Sequence, residues 1–181
     1  MNAVAVEAPP NPDVALVLSG GGARGAYEAG ALSALLPYLT KRGERPGIIL
    51  GTSIGALNSG HMAATSNLPI REALDGLVSL WGRVQLSDIL GPLLSPTTLL
   101  RLAQYAGGLV GIPQARVPSL LDTGPLPALL NELIDFNQLH ANIDRELVAL
   151  AVIATSYSTG ESVVFHEGPI GVAVEQDVKR G

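Results

Sequence analysis

The chain has 181 residues, 47% of them apolar and 15% charged, with mean hydropathy +0.34. That balance excludes disorder over most of its length and fits one domain with a real core. The 11 basic and 16 acidic residues leave a net charge of −5, which is not the footprint of a nucleic-acid binder, and the absence of cysteine excludes disulfides and thiolate metal sites.

Residues 1–12 read as a flexible lead-in, followed by a domain at 13–181. The N-terminus has neither the cationic region nor the apolar stretch of a signal peptide, and no apolar run approaches the ~20 residues of a bilayer span. A cytoplasmic protein, peripheral at a membrane at most, is the expectation. Val14 to Leu18 is a short apolar run closed by Ser19 and glycines, the pattern of a buried parallel strand. An Ala- and Leu-rich helix follows from about Gly25 and is expected to end near Pro37. Ile48-Ile49-Leu50 predicts a second buried strand, and Ile54 to Ala64 a small-residue helix. Strand–helix–strand–helix order argues an α/β fold with a mostly parallel sheet.

Further on, Leu74, Leu77, Val78 and Trp81 share one helical face and predict a core stripe. Leu86 to Pro113 carries only Asp88 and Arg101 as charges, so it reads as an internal packing segment, a cap over an apolar pocket or a lipid-facing surface. Pro125 to Ile134 predicts a helix entered through Asp122-Thr123-Gly124. Leu147 to Ala154 predicts a strand, and Ser158-Thr159-Gly160 turns it into another at Ser162 to Phe165, an antiparallel edge.

Chemistry concentrates at two loops. Gly51-Thr52-Ser53-Ile54-Gly55 matches G-x-S-x-G between a predicted strand and a predicted helix, the setting of a nucleophile elbow. Glycine on both flanks relieves collisions in so sharp a turn, and the helix start aims amides at developing negative charge. The bland alternative is a tight turn with serine at a helix start. Ser19-Gly20-Gly21-Gly22-Ala23-Arg24-Gly25 leaves the first strand in the same way, and its bare amides suit a phosphate or an oxyanion. In a parallel sheet both loops lie on the edge formed by the strands' carboxyl ends. Gly20 to Gly25 also satisfies the dinucleotide pattern G-x-G-x-x-G, but the second strand ends without its acidic residue, and Glu44 lies in the loop before it.

At these two motifs the sequence resembles the patatin-like phospholipase family, whose members carry a G-G-G-x-R-G loop and then a G-x-S-x-G elbow. Gly25-Ala26-Tyr27-Glu28-Ala29-Gly30-Ala31-Leu32, Gly55-Ala56-Leu57-Asn58 and Leu121-Asp122-Thr123-Gly124-Pro125-Leu126 extend the likeness over roughly residues 14 to 170. The resemblance implies a three-layer α/β/α domain and lipid acyl hydrolysis, on a phospholipid or other lipid ester, with no metal or soluble cofactor; the apolar surface of Leu86 to Pro113 adds the expectation of an amphiphilic substrate and transient membrane contact. It implies Ser53 as nucleophile, Gly20, Gly21, Gly22, Ala23, Arg24 and Gly25 as the oxyanion loop, and Gly51, Thr52, Ile54 and Gly55 as the elbow. Arg24 would fix the loop or meet a phosphate head group.

The family's dyad aspartate sits in a later D-G-[GA] motif. Asp75-Gly76 is the one Asp-Gly pair here, on the amphipathic helix, where it reads as solvated. The expectation is therefore the N-terminal portion of a longer catalytic domain, with the aspartate beyond this chain and the chain alone inactive. A histidine triad is the weaker alternative. Asp144 and His166 follow Ser53 in α/β-hydrolase order, yet His166 reads as a surface residue, His61 as structural and His140 as solvated in a loop beside Asn137 and Asn142. Three scattered histidines give no metal-ligand spacing. Two further readings remain open: a non-catalytic lipid- or partner-binding module, and a dinucleotide-binding protein. The sequence gives no indication of oligomeric state.

Overall fold

The computed structural model describes residues 11–83, 126–156 and 158–168. The chain divides into two units, Met1–Gly82 with Ile134–Gly181, and Arg83–Leu133. In the second unit the described residues form helix α4 (Leu126–Leu133), shorter by a residue at each end than the sequence suggests. The expected apolar cap, Leu86 to Pro113, and the entry Asp122-Thr123-Gly124 lie outside the described residues.

The first unit runs β1 (Asn11–Leu18), α1 (Arg24–Lys41), β2 (Pro46–Thr52), α2 (Ile54–Ala64), α3 (Ile70–Arg83), α5 (Phe136–Asp144), β3 (Ala149–Thr155) and β4 (Ser162–Glu167). β1 starts at Asn11, so the described chain takes its first strand pairing, with Pro46, inside the expected lead-in. The sheet order is β1-β2-β3-β4; the first three strands are parallel and β4 returns antiparallel beside β3. This is the expected mixed α/β fold with a mostly parallel sheet. The hairpin turn closes through Gly160, at φ +73°, which donates to Ser156 O.

Alternation along the strands sets the layers. Leu16, Leu18 and Ile49 are buried, while Val17, on the other face, is 68% exposed. Leu36 of α1, Met62 of α2 and Ala73 of α3 line one small cavity together with Leu16 and Ile49. The three helices therefore share the same face of the sheet. Right-handed crossovers between parallel neighbours moving in one direction require that placement.

The innermost helix is α2, buried at nearly every position. Its small residues allow this. A Cβ on Gly51 would lie 2.6 Å from Ala56 Cα and strike Gly55 O and Ser59 Oγ, and one on Gly60 would lie 2.7 Å from Ile134 Cδ1. At its C-terminus, buried Asn142 of α5 donates to Ala63 O at 2.8 Å and Ala64 O at 2.9 Å. Thr65 and Ser66 hydroxyls return to His61 O and Met62 O. These bonds satisfy the carbonyls that every helix leaves open at its end.

Three sequence expectations are corrected. Helix α1 does not stop at Pro37 but carries it inside. Proline costs one helical bond, here to Ser33 O, but it does not forbid the final turn. The helix ends instead at Gly43, φ +73°, where Glu44 N donates to Leu39 O and Gly43 N to Thr40 O, each at 3.0 Å. Those are the two bonds of a Schellman motif. In α3 the buried stripe is Ala73, Leu74, Leu77 and Leu80, and Val78 is 48% exposed. The core face is rotated about one residue from the predicted one. Residues around His140 form a helix rather than a loop, capped by Asp135, whose side chain accepts from Gln138 N.

Candidate active site

The turn from β2 into α2 places Ser53 at φ 54°, ψ −123°. A non-glycine residue there holds a backbone conformation that costs on the order of 1–3 kcal/mol and persists only when its surroundings enforce it. They do so here on both sides. The Gly51 contacts hold the strand end tight against α2. A Cβ on Gly55 would strike Leu18 O and lie 2.6 Å from Leu18 C and 2.7 Å from Ser19 O. The end of β1 thus crosses directly over the first turn of α2. Thr52 pairs with Ile153 at the strand end, and buried Ile54 lies against Gly25, where a Cβ would be 2.8 Å from its Cγ1. Ser53 itself is exposed, and Ala56 N donates to its carbonyl at 2.9 Å to begin the helix.

The glycine loop meets the serine at that crossing. A Cβ on Gly20 would lie 3.2 Å from Ser53 Cβ and 3.9 Å from Ser53 Oγ. Both loops leave the carboxyl ends of neighbouring parallel strands, on one rim of the sheet. Gly22 takes φ +59°, which glycine adopts freely. The loop's amides divide into two sets. Those of Arg24, Gly25 and Ala26 turn back to the carbonyls of Gly21, Gly22 and Ala23, opening α1. Those of Gly21, Gly22 and Ala23 have no acceptor among the described residues. They lie just ahead of the first turn of α1 with their donors open, an arrangement that favours an anion.

A family model described as patatin-like phospholipase matches residues 16–170. The chain belongs to the patatin-like phospholipase family. Among solved structures, the crystal structure of type III effector protein ExoU matches at 18% identity and a TM-score of 0.42, over 89% of this chain and 37% of that one. The chain thus spans less than half the length of that protein. No curated protein matches it.

In this patatin-like chain the described His61, His140 and Glu28 make their hydrogen bonds to groups other than Ser53. No Asp, Glu or His among the described residues hydrogen-bonds its Oγ. His61 is buried on α2 with Nε2 3.2 Å from Ala73 O, and so belongs to the packing of α2 on α3. His140 Nδ1 lies 2.7 Å from Glu167 Oε1 in an exposed pair. His166 is exposed on β4, Asp144 ends α5, and Asp75 is exposed on α3. Glu44, the acid nearest a dinucleotide position, accepts from Arg42 Nε at 3.4 Å. Arg24 folds its stem over Gly21, so that a Cβ there would lie 3.0 Å from Arg24 Cδ. Its guanidinium meets no carboxylate among the described residues.

Two residues to which the sequence assigns no role lie directly behind the loop. Glu28 Oε1 accepts from Ser19 N at 2.9 Å, and Glu28 Oε2 accepts from Asn58 Nδ2 at 3.0 Å. Asn58 Nδ2 also donates to Gly25 O at 3.1 Å, and Asn58 Oδ1 accepts from Trp81 Nε1 at 2.9 Å. A signal for both was present. Glu28 is the one acid in α1, and Asn58 is a full amide in a helix of small and apolar residues whose one other large polar side chain is His61.

Proposed function

We propose that the chain carries the nucleophile and oxyanion loop of a serine-dependent lipid acyl hydrolase acting on a phospholipid or other lipid ester at an aggregate or membrane surface. Ser53 Oγ adds to the ester carbonyl as its proton passes to a carboxylate of the family's serine–aspartate dyad. The carbonyl oxygen, now negative, takes hydrogen bonds from the amides of Gly21, Gly22 and Ala23. The alcohol leaves, an acyl-serine remains, and water releases the fatty acid. Each oxyanion donor is worth about 10²–10³ in rate. The single observation that supports this reading is the strained, exposed Ser53 with Gly20 against it, a Cβ there lying 3.9 Å from Ser53 Oγ. Arg24, with its stem on the loop, suits a phosphate head group.

Stoichiometric labelling of the full-length protein by a fluorophosphonate, lost in Ser53→Ala, is the expected result. A full-length protein that folds and takes no label refutes it. One observation favours the non-catalytic module instead: no described acid or imidazole reaches Ser53 Oγ. Lipid binding without labelling would establish that reading.

A further inference from the structure

We infer that Glu28 and Asn58 are positioning residues, which lock the glycine loop to the helix that carries Ser53. The inference rests on the acyl-hydrolase reading. The loop needs such a lock. Glycines keep Gly20 to Gly22 free of side chains, and with side chains goes the packing that would hold their amides still. Oxyanion donors work only when their direction is fixed before the reaction.

The lock has three parts. Glu28, one turn into α1, reaches back to Ser19 and takes both its amide, at 2.9 Å, and its hydroxyl, at 3.3 Å. That pins the chain immediately before the first glycine. It also occupies the Ser19 amide, which leaves the oxyanion to the amides further along. Asn58 lies on α2, five residues beyond Ser53, and ties Gly25 O and the Glu28 carboxylate to that helix. Trp81 of α3 then closes the back. Its Nε1 donates to Asn58 Oδ1, and its ring takes the space beside Gly25, where a Cβ would lie 2.7 Å from Cη2.

The orientation of Asn58 is not arbitrary. Indole nitrogen only donates, and a backbone carbonyl and a carboxylate only accept, so Oδ1 must face Trp81 and Nδ2 the other two. Asn58 is 0% exposed, so a wrong polarity cannot be repaired by water. The same logic makes the pair testable by reversal. In N58D an oxygen faces the Glu28 carboxylate and also Gly25 O, which loses its side-chain donor in both variants that carry this change. In E28Q the side chain offers one acceptor, so either Asn58 Nδ2 or Ser19 N meets an NH2 group. In the double variant the amide introduced at position 28 can donate to the carboxylate introduced at position 58, and Ser19 N keeps its acceptor.

The experiment compares E28A, E28Q, N58D and E28Q/N58D in the full-length protein. It measures ester kcat and KM, fluorophosphonate labelling rate, thermal unfolding, and the emission of Trp81, the sole tryptophan. Expected are a fall in kcat and labelling of about 10²-fold in E28A and N58D with KM unchanged, because displacement of about 1 Å at a reacting site costs that much. The double variant regains about tenfold over N58D, the non-additivity of residues in direct contact. Wild-type kcat in E28A, or a loss that follows only the fraction unfolded with no regain in the double variant, overturns the inference and leaves the hydrolase reading standing. A folded wild type that neither labels nor turns over removes both.

Discussion

Gly55→Ala is the sharpest test of the crossing that defines the site. Its Cβ would strike Leu18 O and sit 2.6 Å from Leu18 C and 2.7 Å from Ser19 O. Carbon contacts are most favourable at ~3.5–4.0 Å, so α2 and the end of β1 must part by on the order of 1 Å. The obstructing atoms are backbone, and no rotamer change removes them. Overpacking of this kind costs about 1–3 kcal/mol, and the upper end applies here. Alanine's better helix propensity returns up to about 1 kcal/mol, less at a first turn. The net loss is about 2 kcal/mol, or roughly 4–8 °C in unfolding temperature for a chain of this size. The same movement separates Ser53 from the glycine loop, so labelling should slow by about 10²-fold. Calorimetry and fluorophosphonate kinetics on one preparation check both numbers. A variant with wild-type unfolding and wild-type labelling would mean that the β1 backbone does not cross Gly55, and the site as described would fail.

Three further substitutions probe separate parts of this account. Gly30→Ala, at an exposed helical position where an added Cβ meets nothing within 4 Å, should stabilise by about 0.5–1 kcal/mol in a denaturant titration and leave labelling unchanged. Asn142→Ala strips the buried donor from Ala63 O and Ala64 O and should cost about 2–3 kcal/mol, measured the same way. Ser53→Gly should abolish labelling yet stabilise by about 1 kcal/mol, because glycine accepts φ 54° where Ser53→Ala does not; equal stability of the two variants would refute backbone strain at this position.

Much of the fold was legible because its signals are local. Helix α2 has the predicted limits, Ile54 to Ala64, opening at the turn glycines and running through the small apolar residues that follow. The hairpin follows from a turn between two β-rich runs. The errors have particular causes. Pro37 outweighed Gly43 as a stop signal, although the conformation that ended the helix was glycine's. Val78 fits the helical period as well as Leu80 does, and only the neighbours of α3 decide between them. The cap of α5 was present as Asp135 and Gln138, but two asparagines in the helix concealed it. Both chemical loops could be read because each is continuous in sequence. The Glu28–Asn58 bond spans 30 residues and joins two helices, so no local pattern expresses it.

The glycines and the serine at this site answer to different demands. Gly51 and Gly55 are required by atoms of α2 and β1 that would be there whether or not the protein performed any reaction. G-x-S-x-G is therefore a packing signature before it is a chemical one, and a chain that had lost all activity would still need both flanks. Ser53 is the opposite case. Packing does not call for it, its side chain is exposed, and its backbone angle would be easier for glycine. A hydroxyl on a backbone angle that glycine would hold more easily, beside a glycine loop whose amides have no partner among the described residues, is what the proposed reaction needs and what a tight turn does not.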